Sequence, residues 1–475
     1  MLKRSFYFIS SLLLTLPALA QDKWDLRRCV EYAIANNISV KQTDLQTRFS
    51  AITYSQSKSA QYPTLNFSGS TGFRLGRSEN PTTGVLEDNN FLNANFNLQS
   101  GVTIFNWFAQ KNTIEANRLT NEADQAQVKK VQDDIALNVA VAYLQVLLAR
   151  EQVKISEVQI ATTKEQLFNT RKRVDAGVFP ELNAAELEAQ LSRDSSSLIT
   201  AETAVLQFVL QLKALLNFDA GAAFEIDTPP VDRIPVDNLG DLQPEAVFAL
   251  ALVSLPQQKV TDLRIQSALK SVDAAKGLLY PRITAFGGLS SNYVNIKIPE
   301  YQLGTPKTTG AFVNVGSTTY NVLAPSFQEI GTRIIPFTRQ INSNFSQNLG
   351  IGLSVPIFNG ASARNNWGRS KLMVQQWELT REQDNQTLKQ NIYRAYNDAT
   401  AAIQKFNADK KVVETSKKTY DFAQKRYEQN LLSTFELINS QNNMLMAQIQ
   451  ALYSQYDYVF KLKLLEFYKG QGLRL

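Results

Sequence analysis

The chain has 475 residues, of which 44% are hydrophobic and 19% are charged, and its formal net charge at pH 7 is +6. This balance is typical of a folded protein and excludes a disordered one. The chain has no histidine and a single cysteine, Cys29, which excludes histidine-based nucleophilic catalysis, an intrachain disulfide and a cysteine-cage zinc site. We therefore expect neither enzymatic activity nor a bound cofactor or metal.

The N-terminus has the pattern of a secretory signal peptide. Lys3 and Arg4 precede an apolar run that ends in Ala-Leu-Ala at positions 18–20, and a charged start, an apolar centre and a small-x-small end are the parts of such a peptide. We expect residues 1–20 to be removed on export. No later apolar stretch reads as a transmembrane helix, and an exported chain with this mild net charge gives no reason to expect nucleic-acid binding.

The rest of the chain consists of two copies of one pattern. Tyr-Pro occurs at 62–63 and again at 280–281, and Ile-Phe-Asn begins at 104 and again at 357. An internal repeat favours a pseudo-symmetric, architectural protein. We divide the mature chain into repeat one (21–217), a proline-rich linker or equatorial segment (218–241) and repeat two (242–475).

Each repeat is predicted to contain a helix, a β-hairpin, a long helix and a shorter helix. In repeat one these elements cover 24–60, 62–106, 108–176 and 181–217. In repeat two they cover 243–279, 281–358, 361–429 and 433–469. Each Tyr-Pro step ends a first helix, because the residue before proline is pushed out of the helical region. The second hairpin carries about 35 additional residues, predicted as a long Gly/Thr/Pro-rich extracellular loop without clear periodicity.

The long helices carry core residues with a seven-residue period. In the first, larger residues run from Val139 to Val174 and smaller ones alternate with them from Ala142 to Thr170. The second long helix repeats this pattern as far as Tyr427. Such a period predicts coiled-coil packing. A plain antiparallel coiled coil explains it without any channel.

The hairpins contain four segments in which apolar and polar residues alternate. The first alternates Leu65, Phe67 and Phe73 with asparagine, serine, glycine and one arginine, and the second and last segments follow the same rule. A strand that crosses a bilayer needs about 9–11 residues, apolar toward lipid and polar toward a wet lumen. The nearly uncharged polar face favours this interpretation over a soluble two-sided sheet. Aromatic residues just past the strand ends are predicted to form an interfacial girdle: Phe105, Trp107, Phe108 and Phe358.

Four strands cannot close a barrel alone, and open sheet edges are forbidden in lipid. The chain is therefore expected to oligomerise and to share one barrel between copies. Eight strands are filled by their own side chains, whereas the twelve strands of three chains leave room for a lumen.

The order and spacing of several motifs resemble the TolC-like outer-membrane efflux protein family. The motifs are the opening WDLRRCVEYAIANN, the helix-to-strand junctions YPTLNFSG and YPRITAFGG, the strand-to-helix junctions VTIFNWF and VPIFNGASAR, and the turns RVDAGVFPEL and RYEQNLLSTFEL. The resemblance covers nearly the whole mature chain. It implies an α+β fold in which a homotrimer forms a twelve-stranded transmembrane β-barrel and a twelve-helix tunnel, a long antiparallel coiled-coil barrel.

The same resemblance implies a function. The protein would be a passive exit duct in the outer membrane of a Gram-negative bacterium, with a large periplasmic part. It would work with a periplasmic adaptor and an inner-membrane pump to export small toxic compounds or secreted proteins.

The two turns between a long and a shorter helix are the predicted tunnel tip and adaptor-docking site. Gly177 suits the left-handed residue after a helix, and Pro180 suits the first turn of the next helix. In repeat two Asn430 takes the place of the glycine, since asparagine also tolerates this conformation, and Ser433 precedes the last helix.

The resemblance also places a gate at this tip. Glu436 matches an acidic-ring position, and Asn439 lies one turn further on; three copies of Glu436 around a threefold axis would repel anions and bind cations. The residues Ser433 to Glu436 equally fit a helix capping box, and the two roles do not exclude each other. Tyr427 matches a gate-bonding tyrosine, although its place in the seven-residue pattern makes packing an equal alternative. Asn183 is the candidate in repeat one. Leu432 stands where the family often has a basic partner.

Other classes of protein share parts of this pattern. A structural or adhesive coiled-coil protein of the cell envelope, with its hairpins as a soluble cap, is the main alternative and would be soluble without detergent. An exported hydrolase would need a carboxylate pair or a serine site, for which no motif is present. A general diffusion porin would need at least eight strands in each chain.

Overall fold

A computed structural model of the protein describes residues 23–79, 84–88, 90–228 and 238–470. The predicted signal peptide lies outside these ranges. The chain forms two compact units. The first consists of Met1–Thr53, Asn117–Ala268 and Leu372–Leu475, and the second of Tyr54–Ala116 and Leu269–Lys371.

In the part of the chain that the structure describes, the helices range from seven to 67 residues. They are α1 (Leu26–Asn36), α2 (Ile38–Ser59), α3 (Ala109–Asp175), α4 (Glu181–Leu216), α5 (Pro244–Ser254), α6 (Pro256–Gly277), α7 (Phe337–Ser343), α8 (Ser362–Glu428) and α9 (Thr434–Tyr468). Both α3 and α8 have 67 residues, which at 1.5 Å per residue is about 100 Å. The shorter α4 and α9 have 36 and 35 residues.

The first helix of each repeat is broken, whereas the sequence predicted one continuous helix over 24–60 and another over 243–279. In repeat one Asn37 takes an extended conformation with ψ at 135°, and its side-chain Oδ1 accepts a hydrogen bond from the Ser39 N–H. In repeat two Leu255 has ψ at 131° because Pro256 follows it. The break therefore recurs at matching places in the two repeats.

The strands are β1 (Thr64–Arg74), β2 (Arg77–Glu79), β3 (Leu86–Asp88), β4 (Phe91–Phe105), β5 (Arg282–Val294), β6 (Lys297–Leu303), β7 (Lys307–Val315), β8 (Thr318–Ala324), β9 (Phe327–Ile334) and β10 (Ser346–Ser354). Four of them form an antiparallel sheet in the order β1-β4-β5-β10. Within this sheet β1 and β10 are the two edge strands. The sheet therefore joins the hairpins of the two repeats side by side.

The insertion in the second hairpin is ordered, which corrects the irregular loop that the sequence predicted. Strand β6 pairs with β9, and β7 pairs with β8, so residues 297–334 form one long two-stranded ribbon. We call this segment the ribbon. Its threonine, valine, tyrosine and phenylalanine residues give it strand propensity, whereas its glycines and prolines favour a loop.

The short helix α7 follows the ribbon and packs on the sheet. The ring of Phe337 lies 6.2 Å from that of Phe96 and 5.2 Å from that of Tyr293, between centroids. The side chain of Gln340 donates to the Val294 carbonyl at 2.9 Å and accepts from the Val294 N–H at 3.0 Å. The buried Gln340 side chain thus hydrogen-bonds both backbone polar groups of Val294 at the end of β5.

The core of the first unit follows the predicted seven-residue pattern. Its buried members in α3 and α8 include Val139, Val146, Thr163, Ile392 and Ala399, each with no exposed surface. Part of the predicted linker belongs to this core too. Ile226 is buried and bridges Trp24, and the Tyr143 hydroxyl donates to the Asp227 carbonyl at 2.6 Å. The first part of the predicted linker, as far as the structure describes it, therefore packs against the helical core.

Two helices, α3 and α4, are long and apolar enough in composition to cross a bilayer, although the sequence pattern predicted no such helix. The most apolar window of α3 is 44% buried and contributes to the core, whereas that of α4 is only 17% buried. Core packing accounts for much of the apolar stretch of α3. The exposed apolar face of α4 is not explained by packing within one chain.

Candidate functional site at the interhelical turns

The turn between α3 and α4 is a tight C-terminal cap. Gly177 has φ at 75°, its N–H donates to the Val174 carbonyl at 2.8 Å, and the Val178 N–H donates to the Arg173 carbonyl at 2.8 Å. This pair of bonds closes the last helical turn and requires the left-handed residue. Pro180 occupies the N-cap of α4, one position before the first turn that was predicted for it.

The turn between α8 and α9 repeats this geometry. Asn430 has φ at 62° and donates its N–H to the Tyr427 carbonyl at 3.0 Å, while the Leu431 N–H donates to the Arg426 carbonyl at 2.8 Å. Asparagine thus fills the position that glycine fills in repeat one. The two turns are equivalent in backbone structure although their sequences differ.

Arginine side chains brace both turns, a feature that the sequence pattern did not predict. Arg173 donates to the Glu428 carbonyl at 3.0 Å and lies over the Phe179 ring, which joins the end of α3 to the end of α8. Arg426, its counterpart in repeat two, donates to the Leu431 carbonyl at 3.3 Å. Cations near helix C-termini interact favourably with the free carbonyls there. In the sequence, the Lys-Arg pair in the last turn of each long helix could have indicated this interaction.

Glu436 is part of a complete capping box. Its carboxylate accepts from the Ser433 N–H at 3.1 Å, and its own N–H donates to the Ser433 Oγ at 3.2 Å. The hydrogen bond from the Ser433 backbone lowers the pKa of the Glu436 carboxyl, because it stabilises the ionised form. The carboxylate is exposed, so it is both tied to the chain and accessible from outside.

The other two polar candidates differ in exposure. Asn439 is exposed one turn beyond Glu436 on α9, and Asn183 is half-buried in the first turn of α4. The Asn183 N–H donates to the Pro180 carbonyl at 3.1 Å. The two asparagines therefore lie in different helical hairpins of the chain, each near its turn.

Tyr427 is buried and bonded within the chain. Its hydroxyl lies 2.8 Å from the Thr170 hydroxyl on α3 and 3.4 Å from that of Thr434. Its ring centroid lies 5.4 Å from that of Phe179. The residue therefore both packs in the core and forms polar bonds, which combines the two alternatives that the sequence left open.

A second polar contact lies above the first. The Gln166 side chain donates to the Tyr420 hydroxyl at 2.7 Å. Gln166 lies four residues before Thr170 in α3, and Tyr420 lies seven residues before Tyr427 in α8. The α3–α8 contact near the tip therefore consists of a repeated threonine or glutamine against tyrosine. The sequence places both tyrosines in one seven-residue row, and it predicted a polar bond as an alternative to packing for Tyr427 alone.

A buried polar cluster joins α9 to α3 and α4. The Thr163 hydroxyl donates to the Asp194 carboxylate at 2.6 Å, and the Gln190 amide donates to the same carboxylate at 2.7 Å. The Gln441 amide donates to the Thr163 hydroxyl at 3.2 Å. All four side chains are almost fully buried. Buried polar networks of this kind favour one packing arrangement of helices, although among the described residues the Gln441 Oε1 has no hydrogen-bond partner. The sequence pattern gave no sign of this cluster.

The predicted girdle residues lie at the end of β4 and just before α8. Phe105 ends β4, and its ring lies 5.6 Å from those of both Trp107 and Phe108. Trp107 and Phe108 have φ at 51° and 62°, and the Trp107 ring lies 4.9 Å from Tyr280. Phe358 is 86% exposed. Three of the four therefore form one cluster, and the fourth projects alone.

One face of the four-stranded sheet exposes large apolar side chains. On β1 these include Leu65, Phe67 and Phe73, each at least 70% exposed, and on β10 Leu349 is 91% exposed. The register places polar residues such as Asn66 and Gln99 opposite each other on the other face. Exposed apolar patches of this size mark surfaces made for a partner or for lipid.

Comparison with known proteins identifies the family. The profile of the family described as Outer membrane efflux protein matches residues 29–217 and 247–470. Outer membrane efflux protein BepC of Brucella suis biovar 1 is 21% identical over 434 residues, which cover 90% of this chain and 81% of that protein.

Solved structures show the same fold. The channel CusC superimposes with a TM-score of 0.75 at 17% identity, over 94% of this chain and 92% of that chain. The outer membrane protein VceC of Vibrio cholerae gives a TM-score of 0.72 at 14% identity, over 94% and 97%. Proteins of this family are channels rather than enzymes. The chain therefore belongs to the outer membrane efflux protein family, has its α+β efflux-duct fold, and serves as an efflux exit duct in the outer membrane of a Gram-negative bacterium.

Proposed function

We propose that three copies of this chain share one twelve-stranded transmembrane β-barrel. The observation that carries this proposal is the four-stranded sheet with its apolar face and its two edge strands, β1 and β10. Strand directions alternate across the sheet, so β10 of one copy would meet β1 of the next in antiparallel orientation. Closure removes the open edges that lipid does not tolerate.

The helices would form the twelve-helix tunnel of the same trimer. On α4 the side chains of Ile199, Leu206 and Leu210 are exposed, and their spacing of seven and four places them on one helical face. On α2 the side chains of Phe49 and Ile52 are exposed in the same way. Coverage by the neighbouring copies explains these stripes, including the apolar face of α4, without a transmembrane helix.

The proposed duct is passive and works in a tripartite pump. A periplasmic adaptor would dock at the two turns marked by Gly177, Pro180, Asn430 and Ser433, and an inner-membrane pump would supply cargo and energy. The cargo would be small toxic compounds or secreted proteins. In this proposal residues 1–20 are removed on export, and the two repeats with their linker form the mature chain.

The proposed gate is the tip of the tunnel. Three copies of Glu436, with Asn439 one turn further on, would form a polar ring that prefers cations. Tyr427 would hold α8 against α3 in the closed state, and Asn183 would add a polar contact from α4. The support is that these residues lie beside the two turns and that Tyr427 bonds across the two helical hairpins of one chain.

The proposed membrane boundary is the aromatic cluster Phe105, Trp107 and Phe108, with Phe358 on the other strand end. Aromatic rings of this kind settle at the level of the lipid headgroups.

Two matched variants on adjacent residues of β1 test the proposal. Phe67→Lys places a charge on the lipid face, at a cost of about 2–4 kcal/mol near the bilayer centre, and should abolish trimer assembly in the outer membrane. Asn66→Lys places the same charge on the opposite face, and should leave a trimer whose bilayer conductance is shifted toward anions. A water-soluble monomer without conductance, recovered without detergent, would overturn the proposal. Deletion of the chain from its host should raise sensitivity to dyes, detergents or antibiotics if small compounds are the cargo.

A further inference from the structure

The ribbon is a long hairpin that begins just after β5 of the sheet. Its arms pair from Lys297 opposite Ile334 to Val315 opposite Thr318, and Gly316 turns the chain at the tip with φ at 65°. Between the paired segments the Gly304 N–H donates to the Ser326 carbonyl at 2.8 Å, so pairing continues along the arms. At about 3.3 Å per residue each arm extends on the order of 60 Å.

The outer half of the ribbon has one apolar face. Val313 lies opposite Tyr320, and Val315 lies opposite Thr318. Since side chains alternate along a strand, Val322 lies on the same face as Tyr320. We call Val313, Val315, Tyr320 and Val322 the apolar ribbon face. Each of its four side chains is exposed in the single chain.

The opposite face is more polar. It carries Asn314, Thr319 and Asn321 beside Phe312 and Leu323. The Thr319 hydroxyl donates to the Asn314 side chain at 2.7 Å. The two faces therefore differ in polarity, as expected for a ribbon whose apolar face packs against a partner and whose other face contacts water.

A free ribbon of this composition would be unstable in water. From Leu303 to Phe327 the only charged residue is Lys307, although charges are the usual protection of an exposed strand edge. A single two-stranded hairpin is also marginally stable at best. Something must cover the apolar ribbon face and pair with the two edges.

The position of the ribbon in the chain points to sister copies as that partner. Only Asn295 and Ile296 separate β5 from the ribbon, and the return passes through α7 into β10, an edge strand of the sheet. In the trimer proposed above, that edge is where the next copy begins. Three ribbons therefore rise from the same rim around one threefold axis.

We propose that the three ribbons pair edge to edge into a six-stranded antiparallel β-barrel that caps the duct, with the apolar ribbon face inside. This inference rests on the proposed trimer. The arm β6–β7 leads away from the sheet and the arm β8–β9 leads back, so the returning arm of one copy meets the outgoing arm of the next antiparallel. All edges are then paired. Since even eight strands are filled by their own side chains, the six-stranded cap has a filled interior and obstructs the outer exit.

Cysteine cross-linking tests the cap on the complete protein. Val313→Cys places thiols inside the cap, where two of three copies can form a disulfide, and Asn314→Cys places them outside. The native Cys29 is buried and gives little background. After mild oxidation of outer membranes we expect a cross-linked dimer of the chain for Val313→Cys and a several-fold weaker band for Asn314→Cys.

The oligomeric state separates the proposed cap from the proposed trimer. It is measured on the same samples as the mass of the native assembly, without a cross-linker. A trimer in which both cysteines cross-link equally poorly would overturn the cap and leave the duct standing. Absence of a trimer would overturn both. Capture of a different protein by either cysteine would also overturn the cap, since the face would then belong to another partner.

Conductance provides a second test. Removal of residues 297–334 should leave trimers whose single-channel conductance is higher than that of the full chain. The milder variant Val313→Asp, which buries a charge inside the cap, should act in the same direction, with Asn314→Asp as its control. Conductance unchanged by the deletion and by Val313→Asp would contradict a cap that obstructs the exit.

Discussion

The hydroxyl groups of Thr170 and Tyr427 lie 2.8 Å apart in the packed interior between α3 and α8. Both residues are buried, at 1% and 6% exposure, and the Tyr427 hydroxyl makes a second, longer contact of 3.4 Å with the Thr434 hydroxyl. The bond joins the helical hairpin of repeat one to that of repeat two. Any movement that separates these hairpins at their tips must break it.

Tyr427→Phe tests this contact. The variant keeps the ring on Phe179 but leaves the Thr170 hydroxyl buried without this partner, at a cost of about 1–3 kcal/mol. We expect a lower midpoint of thermal unfolding in detergent and a larger leak through the closed duct in bilayer recordings. The control is Tyr453→Phe, because that hydroxyl is exposed and lies 3.4 Å from Gln152. Equal stability and leak in the two variants would contradict the role of the buried bond.

Glu436→Gln separates the two roles of this carboxylate. Glutamine still completes a capping box, so the start of α9 should keep its stability, whereas the ring would lose its charge. We expect weaker block by multivalent cations in single-channel recordings. Ser433→Ala is the matched variant, since it weakens the cap but leaves the charge and should retain cation block. Unchanged block in Glu436→Gln would remove the ring assignment.

The pH dependence of this block has a defined sign. Hydrogen bonds from Ser433 lower the pKa of the Glu436 carboxyl, so the ionised form persists below the ordinary glutamate range. The contribution of the capping box to stability is complete above that range and is lost only as the pH falls through the lower folded pKa. Cation block should follow the same course, and Ser433→Ala should shift its loss to higher pH. A midpoint of block that does not move between the two proteins would contradict this coupling.

The sequence predicted the long elements well because their patterns extend over many residues. The predicted helix over 108–176 corresponds to α3 at Ala109–Asp175, and that over 361–429 to α8 at Ser362–Glu428. Such helices repeat one spacing over many residues, so single residues hardly change the prediction. The break at Asn37 was missed because it depends on one local bond and on a contact with the Leu215 carbonyl.

The site was predicted less completely than the fold. Sequence reasoning found the turns because glycine, asparagine and proline have backbone preferences of their own. It missed the Thr163, Asp194 and Gln441 cluster, because which polar residues face each other depends on the rotation of three helices. The ribbon was missed because pairing over such a distance is decided by register and not by local composition.

Cys29 should resist alkylation in the folded protein. Burial raises the pKa of its thiol to about 12, and the side chain has no exposed surface, so both the thiolate and access to it are lacking at neutral pH. Maleimide or iodoacetamide at pH 8 should label it only after unfolding in denaturant. An exposed cysteine such as that of Asn314→Cys should react at once under the same conditions. Rapid labelling of native Cys29 would show that the core around α1 opens readily.

Two glycines with the same free space around them should respond to alanine in opposite directions. At Gly177 the added Cβ would contact nothing within 4 Å, so only the left-handed backbone opposes the change, at about 1–2 kcal/mol. At Gly368, inside α8, space is equally open and the backbone is helical, so alanine should stabilise by about 0.5–1 kcal/mol. Asn430→Gly should be neutral or slightly stabilising, since it relieves the same strain in the second turn. Thermal unfolding of the three variants measures these signs, and destabilisation by Asn430→Gly would mean that the asparagine side chain, rather than its backbone tolerance, holds the turn.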